Sequence, residues 1–158
     1  MLCLLFSIGA DRYALDTRQI AVVLPPVACK QVPEAPPWVR GLFSYQGRNV
    51  PVLDISMLAL GRPAAARLST RLVLIHYVPQ TATQIPQAPQ LLGLLLEKAS
   101  ETLRCNADDF SASGLSHDKA PYLGPVMQRQ GQLIQQVQVA QLLDDAAQVL
   151  LFPAASMT

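Results

Sequence analysis

The chain has 158 residues, 51% of them hydrophobic and 15% charged, with 12 basic against 11 acidic residues for a net charge of +1. That composition excludes disorder throughout and supplies enough apolar surface for one domain or two small subdomains sharing a core. No Lys/Arg block is present, so neither phosphate tracking nor a polybasic membrane patch is expected.

Residues 1–9 are apolar but short, lack a positive leading region and are closed by Asp11-Arg12, so a signal peptide is not expected. No apolar run approaches the roughly 18 residues that span a bilayer. Residues 2–8 read as a strand, 9–12 as a hairpin turn and 13–16 as its partner. Residues 19–24 are rich in β-branched side chains and predict a further strand, stopped by Pro25-Pro26. Residues 28–32 predict another strand, and 33–37 a rigid proline-rich connection.

The stretch 38–58 specifies the most structure. Residues 42–45 predict a strand, Gln46-Gly47-Arg48-Asn49 a tight turn and 50–54 the return strand. Asp54 or Ser56 then caps a short helix over 55–60. Residues 61–70 read as a loop and 71–78 as a strong strand. Residues 79–90 form a polar, proline-containing excursion. Residues 91–96 predict a strand buried on both faces, which 101–106 continue. Residues 107–120 are loop-like, with one helical turn after Asn106. Residues 126–130 and 133–138 make a last hairpin around Gly131. Val139, Leu142, Leu143, Ala146, Val149 and Leu150 recur at helical spacing, predicting one amphipathic helix over 139–152 with Asp144 and Asp145 on its polar side.

An internal echo runs through this order. Trp38 precedes Gln46-Gly47 as Tyr122 precedes Gln130-Gly131, and Leu53, Ile55 and Leu58 match Val137, Val139 and Leu142 at the same offsets. Two related β-subdomains packed side by side are expected.

Reactive chemistry is poorly supported. Asp16-Thr17-Arg18 has Arg where an aspartic-protease triplet needs the freedom of Gly. Cys29 with His76 or His117 has no local support as a thiol–imidazole pair. The three cysteines, Cys3, Cys29 and Cys105, form no C-x-x-C, so no metal site is expected and a reduced cytosolic setting is the simpler reading. Gly41, Gly47 and Gly61 are too widely spaced for a phosphate loop. Aromatic residues are not interleaved with basic ones, which disfavours nucleic-acid binding.

Several of these segments resemble the CheW-like family of bacterial chemotaxis adaptors. The resemblance is carried by Asp11-Arg12-Tyr13-Ala14-Leu15-Asp16, by the run from Val32-Pro33 to Val39-Arg40-Gly41, and by Gly47 with Pro51-Val52-Leu53-Asp54-Ile55. In the second half it is carried by Leu92-Gly93-Leu94-Leu95-Leu96, Tyr122-Leu123-Gly124 and Leu133-Ile134. It implies a mainly β fold of two five-stranded SH3-like β-barrel subdomains sharing a core, with short helices and a C-terminal amphipathic helix. The whole chain, 1–158, would be one domain. Most of 13–70 would lie in the first subdomain, about 71–138 in the second and 139–152 in the terminal helix.

The resemblance also implies a cytoplasmic, non-enzymatic scaffold without cofactor or metal, recruited to membrane-associated receptor arrays. It would couple a chemoreceptor's cytoplasmic tip to the regulatory domain of a CheA-type histidine kinase, with self-association in arrays. The receptor groove maps to Thr17, Ile20, Val22, Gln46, Leu72 and Thr102. The kinase contact maps to Val27, Pro36, Arg40 and Gly41. Val22 and Gln46 stand where the family usually carries Glu and Arg, so both members of an ion pair are missing together, a divergence of the receptor-facing surface. The run from Leu58 to Ala64, followed by Leu68-Ser69-Thr70-Arg71-Leu72, is similar to adaptors of Wsp-type surface-sensing systems. Two readings of other classes remain beside this one: a self-assembling β-barrel module, and a small hydrolase using Cys29 or Asp16.

Overall fold

A computed structural model describes residues 1–79 and 88–153; most of the predicted 79–90 excursion lies outside the described residues. The described residues form nine strands: β1 (Leu2–Ile8), β2 (Asp11–Asp16), β3 (Ile20–Leu24), β4 (Val39–Tyr45), β5 (Arg48–Asp54), β6 (Arg71–Tyr77), β7 (Gln90–Arg104), β8 (Leu123–Arg129) and β9 (Gln132–Val137). Two α-helices accompany them, α1 (Ile55–Leu60) and α2 (Asp145–Leu151). The strands join in the order β3-β6-β7-β1-β2-β9-β8, and β5 pairs both β7 and β4.

The long strand β7 serves both halves. Its first part pairs antiparallel with β6, from Arg71↔Leu96 to Tyr77↔Gln90, and parallel with β5 at Val52↔Gly93. Its second part pairs with β1, from Ser7↔Glu97 to Leu2↔Arg104. Lys98 takes φ 50° at this change of partner. Each half therefore counts five strands once β7 is shared, and the fold is mainly β as expected. The strand path stays open at β3 and β8, so neither half is a closed barrel.

The halves divide differently from the sequence expectation. β6 and the first part of β7, expected in the second subdomain, pair with β3 and β5. β2, expected in the first, pairs with β9. Pairing follows sheet edges, which chain order does not reveal. Residues 28–32 form no strand either; only the bridge Lys30↔Leu42 survives there. The flanking prolines lack the N–H that a ladder requires.

A central core includes Phe6, Leu53, Tyr77, Leu94, Leu96 and Tyr122, all nearly inaccessible. A smaller cluster around Val50, Val52, Leu72 and Leu74 fills the first half, and another around Cys3, Leu5, Met127 and Ile134 fills the second. At Gly93, a Cβ would come within 3.0 Å of Val52 and 3.1 Å of Leu72, so close packing of β5 and β6 on β7 depends on the missing side chain.

The internal echo is structural. Gln46 and Gly47 have φ 49° and 77°, and Gln130 and Gly131 have 52° and 78°. These are two-residue turns with both central residues left-handed, the geometry that matches strand twist. The partners Val39↔Leu53 recur as Leu123↔Val137, and the bridge Lys30↔Leu42 recurs as Ser111↔Val126. Each unit closes the same way: Asp54 N–H donates to the Trp38 carbonyl (2.8 Å), and Gln138 N–H to the Tyr122 carbonyl (2.7 Å).

The terminal segment departs from the expectation of one helix over 139–152. A 3-10 turn, Val139–Gln141, comes first, and α2 restarts with Asp144 as its cap, accepting from the Ala147 N–H at 2.8 Å. The restart resets the helical phase. Leu142, Leu143, Ala147 and Phe152 are buried, while Val149 and Leu150, expected on the apolar face, are 56% and 40% exposed. Phe152 stacks on Tyr77 at 5.5 Å between ring centroids.

Candidate interaction surfaces

A concave surface lies beside the first hairpin, where the loop after β3 presses onto β4. Gly41 makes that approach: it takes φ 142°, and a Cβ there would lie 2.3 Å from the Lys30 carbonyl oxygen. Two backbone bonds fix the loop, Lys30 N–H to the Leu42 carbonyl (2.7 Å) and Leu42 N–H to the Lys30 carbonyl (2.8 Å). The result is a cleft of about 750 Å³ whose lining includes Val27, Pro36, Arg40, Asp54, Met57 and Pro63.

Asp54 organises the cleft floor. Its side chain is 3% exposed. It accepts from the Met57 N–H at 3.0 Å, capping α1, and from the Ala64 N–H at 3.0 and 3.2 Å, holding the loop after the helix. Arg40 Nη1 stands 3.8 Å from the same carboxylate. Three backbone-directed or ionic partners thus meet one buried group, which is how a buried charge is tolerated. Sequence reading found Asp54 as a helix cap but missed its hold on Ala64, because the reach across ten residues has no local signature.

Three of the four expected kinase-contact residues, Val27, Pro36 and Arg40, therefore share one cleft, and the buried Gly41 lies beneath as the geometric cause. The expected receptor set is more dispersed. Thr17 opens a 3-10 turn, Thr17–Gln19, and donates to the Leu2 carbonyl at 2.9 Å. Ile20 and Val22 follow along β3, half-buried, Ile20 against the central core and Val22 against the first-half cluster. Gln46 is exposed at the hairpin tip, next to Tyr45, which packs on the same cluster as Val22. Thr102 is exposed on the far part of β7, opposite Leu4. Leu72 is a correction: it is 1% exposed and belongs to the first-half core, because its register opposite Leu24 and Leu95 places it between packed elements. It offers a partner nothing to touch.

The residues weighed for catalysis have other roles. Asp16 accepts from the Arg18 backbone N–H at 3.0 Å and from its guanidinium at 2.7 to 3.2 Å, so it is a turn cap with a bidentate partner. The Arg18 hydrogen bonds hold its carboxyl below the usual range, opposite to what a general acid needs. Burial pushes the Cys29 thiol up, away from the nucleophilic thiolate. Burial pushes Cys3 up to about 12, with Cys105 Sγ 3.7 Å away. Among the described residues no group of three or more His, Cys, Asp or Glu side chains is placed to hold a metal, and no helix is long and apolar enough to cross a membrane.

Known proteins share the fold. The CheW-like domain family matches residues 2–147. A chemotaxis protein CheW of Helicobacter pylori is 23% identical over 104 residues, covering 66% of this chain and 57% of that protein, so the chain spans little more than half of that relative. The crystal structure of the scaffolding protein TtCheW from Thermoanaerobacter tengcongensis superposes with a TM-score of 0.76 at 16% identity, covering 90% of this chain and 87% of that one. The strand topology and the fold match agree, and the chain belongs to the CheW-like domain family. Members of that family are scaffolds and adaptors, not enzymes.

Proposed function

We propose that this protein is a cytoplasmic chemosensory adaptor, one CheW-like domain over its whole length, that couples the tip of a chemoreceptor's cytoplasmic domain to a CheA-type histidine kinase in membrane-associated arrays. The observation carrying the reading is the gathering of Val27, Pro36 and Arg40 into one cleft next to the buried Asp54. Walls of mixed polarity, with Arg40 and Glu34 both reaching solvent at the rim, suit a protein partner: desolvated anchors supply affinity and the charges set register. The kinase regulatory domain is assigned to this cleft. The receptor tip is assigned to the surface along Thr17, Ile20 and Val22, with Gln46 and Thr102 at its margins. Val22 in place of an acidic residue favours a receptor helix that presents apolar rather than basic groups there.

The test is co-purification with the kinase regulatory domain and with a receptor cytoplasmic fragment, scored separately. Val27→Asp, at a position 39% exposed, weakens kinase capture by about 2 kcal/mol and leaves receptor capture intact. Val22→Glu does the reverse. Equal capture by wild type and both variants would sink the assignment. The open edge of β3, which among the described residues pairs only with β6, favours self-assembly as a second reading. Light scattering of the isolated chain across concentrations separates the two.

A further inference from the structure

Two of the three cysteines meet in the second-half core. Cys3 and Cys105 are both buried, and their Sγ atoms stand 3.7 Å apart. Met127 belongs to the same buried cluster, and the half-buried Met1 packs against it. Of the chain's three cysteines and four methionines, two of each are therefore gathered in one place. The register decides what the thiol pair can do. Cys3 opposes Leu103, and the Cys105 N–H donates to the Met1 carbonyl at 2.9 Å, so the two cysteines are diagonal neighbours on the β1–β7 ladder. Diagonal neighbours have Cβ atoms roughly 7 Å apart, whereas a disulfide needs about 4 Å. A direct S–S bond therefore requires the backbone to move. One bridging atom does not: two metal–sulfur bonds of about 2.3 Å at a tetrahedral angle span roughly 3.8 Å.

The donors select the ion. Among the described residues no third Cys, His, Asp or Glu joins the pair, which excludes a four-ligand zinc site. Asp16, opposite Cys3 on β2, already holds the Arg18 guanidinium at 2.7 Å, so it is not a free oxygen ligand for a hard cation. Thiolate and thioether sulfur remain, and these soft donors suit cuprous ion. We propose that Cys3 and Cys105, with Met127 as the thioether beside them, form a binding site for one cuprous ion. On binding, both thiol protons pass to solvent: two S–H bonds break and two Cu–S bonds form. The ion ties the start of β1 to the residue that follows β7, so the second half gains stability when copper is bound. The site depends on neither the kinase nor the receptor assignment and uses none of their residues.

The probe is cuprous ion itself, titrated without oxygen into the fully reduced full chain against a chromophoric cuprous chelator. The expected result is one ion per chain, a thiolate-to-copper charge-transfer band in the ultraviolet and a raised thermal midpoint. Wild type and Cys29→Ser bind alike. Cys3→Ala and Cys105→Ala each lower affinity by more than the roughly 10–100-fold that loss of an outer-shell partner costs. Thermal midpoints of the metal-free variants show that each one folds, and Met127→Leu, which conserves core volume, weakens binding with the fold intact. Unchanged affinity in folded Cys105→Ala, loss of binding in Cys29→Ser, zinc held as tightly as cuprous ion, or no copper retained against the chelator overturns the proposal. Ready formation of a Cys3–Cys105 cross-link with oxidised glutathione, seen by peptide mass analysis, also overturns it, since the register would then permit the disulfide.

Discussion

The first and second hairpin units are built on one backbone plan and end differently. Both use a Gln-Gly turn with left-handed φ values, and both return their last residue to an aromatic's carbonyl. The first then continues as the α-helix Ile55–Leu60; the second makes only the 3-10 turn Val139–Gln141. The residues at the junction are Asp54 and Gln138. Asp54 accepts from the Met57 N–H, whereas Gln138 makes no capping bond from its side chain. A short carboxylate reaches the free amides of a nascent helix, and the longer amide side chain does not. The scaffold repeats, and the local residue decides whether it grows a helix that also walls a cleft.

The sharpest way to break the comparison is at Gly41, whose counterpart position in the second hairpin is Pro125. A methyl group there meets the Lys30 carbonyl oxygen at 2.3 Å from a backbone already at φ 142°. Gly41→Ala is expected to cost about 3 kcal/mol, combining overpacking with left-handed strain, read as a fall in the urea midpoint. Gly47→Ala tests the strain alone, since a Cβ at its φ of 77° meets nothing within 4 Å. It should cost about 1 kcal/mol. Equal losses would mean that the loop yields and the cleft is not held by that contact.

Next is the junction itself. Asp54→Ala removes the acceptor of both Met57 and Ala64 and leaves Arg40 without its carboxylate. A loss of about 2 kcal/mol is expected, with faster amide exchange at Ala64. Gln138→Ala should change stability by less than about 0.5 kcal/mol, as for residues that make no such bond. Ile20→Asp is of similar size to Asp54→Ala: Ile20 packs on the central core, so about 2 kcal/mol and a clear drop in thermal midpoint are expected, making Val22 the cleaner probe of receptor contact.

Both pH responses arise in the second half, on the paired strands β1 and β2. Asp16 keeps its lowered pKa through Arg18, so its stabilising contribution is complete above the ordinary aspartate range and is lost as pH falls towards the lowered folded value. Arg18 is 81% exposed, so solvent screens the pair and its contribution is small. Arg18→Gln should flatten that acid limb in a urea titration. In alkali buried groups respond: Cys3 is held neutral up to about 12 against an ordinary 9.0, so its contribution to stability declines as pH rises through that interval, and Cys3→Ala removes that share while leaving the one from Tyr77, also raised to about 12. An acid limb unmoved by Arg18→Gln would assign it to other carboxylates.

What sequence reading recovered, and what it lost, follows from the range of each interaction. The Gln-Gly turns, the Asp54 cap and the return strand β5 are local, and each was legible within a few residues. The echo was legible because the turn and its preceding aromatic recur together. Pairing of β6 with β3 was not, because strand adjacency depends on edges far apart in the chain. Leu72 looked like a surface residue by resemblance, yet its burial is set by cross-strand register with Leu95. The helix over 139–152 was misjudged for a local reason: the apolar spacing bridges two segments whose phases Asp144 separates. Val27, Pro36 and Arg40 were found by resemblance alone; their meeting in one cleft needs Gly41 and the Lys30 bridge, which spacing does not encode.

The smallest expected effect asks whether the junction residue is sufficient. Gln138→Asp places a short acceptor where Asp54 stands in the first unit, and a gain of about 0.5 kcal/mol is expected if the cap is what the second unit lacks. The gain is limited because Leu142 and Leu143 are buried and α2 has its own cap at Asp144, so the turn cannot lengthen without moving core residues. A rise in the urea midpoint with slower amide exchange over 139–141 would attribute the difference between the units to one side chain. A fall would place it instead in the connection: the second unit would be held short by the need to deliver Leu142, Leu143 and then Phe152 into the core, with Gln138 tolerated there because no helix was required.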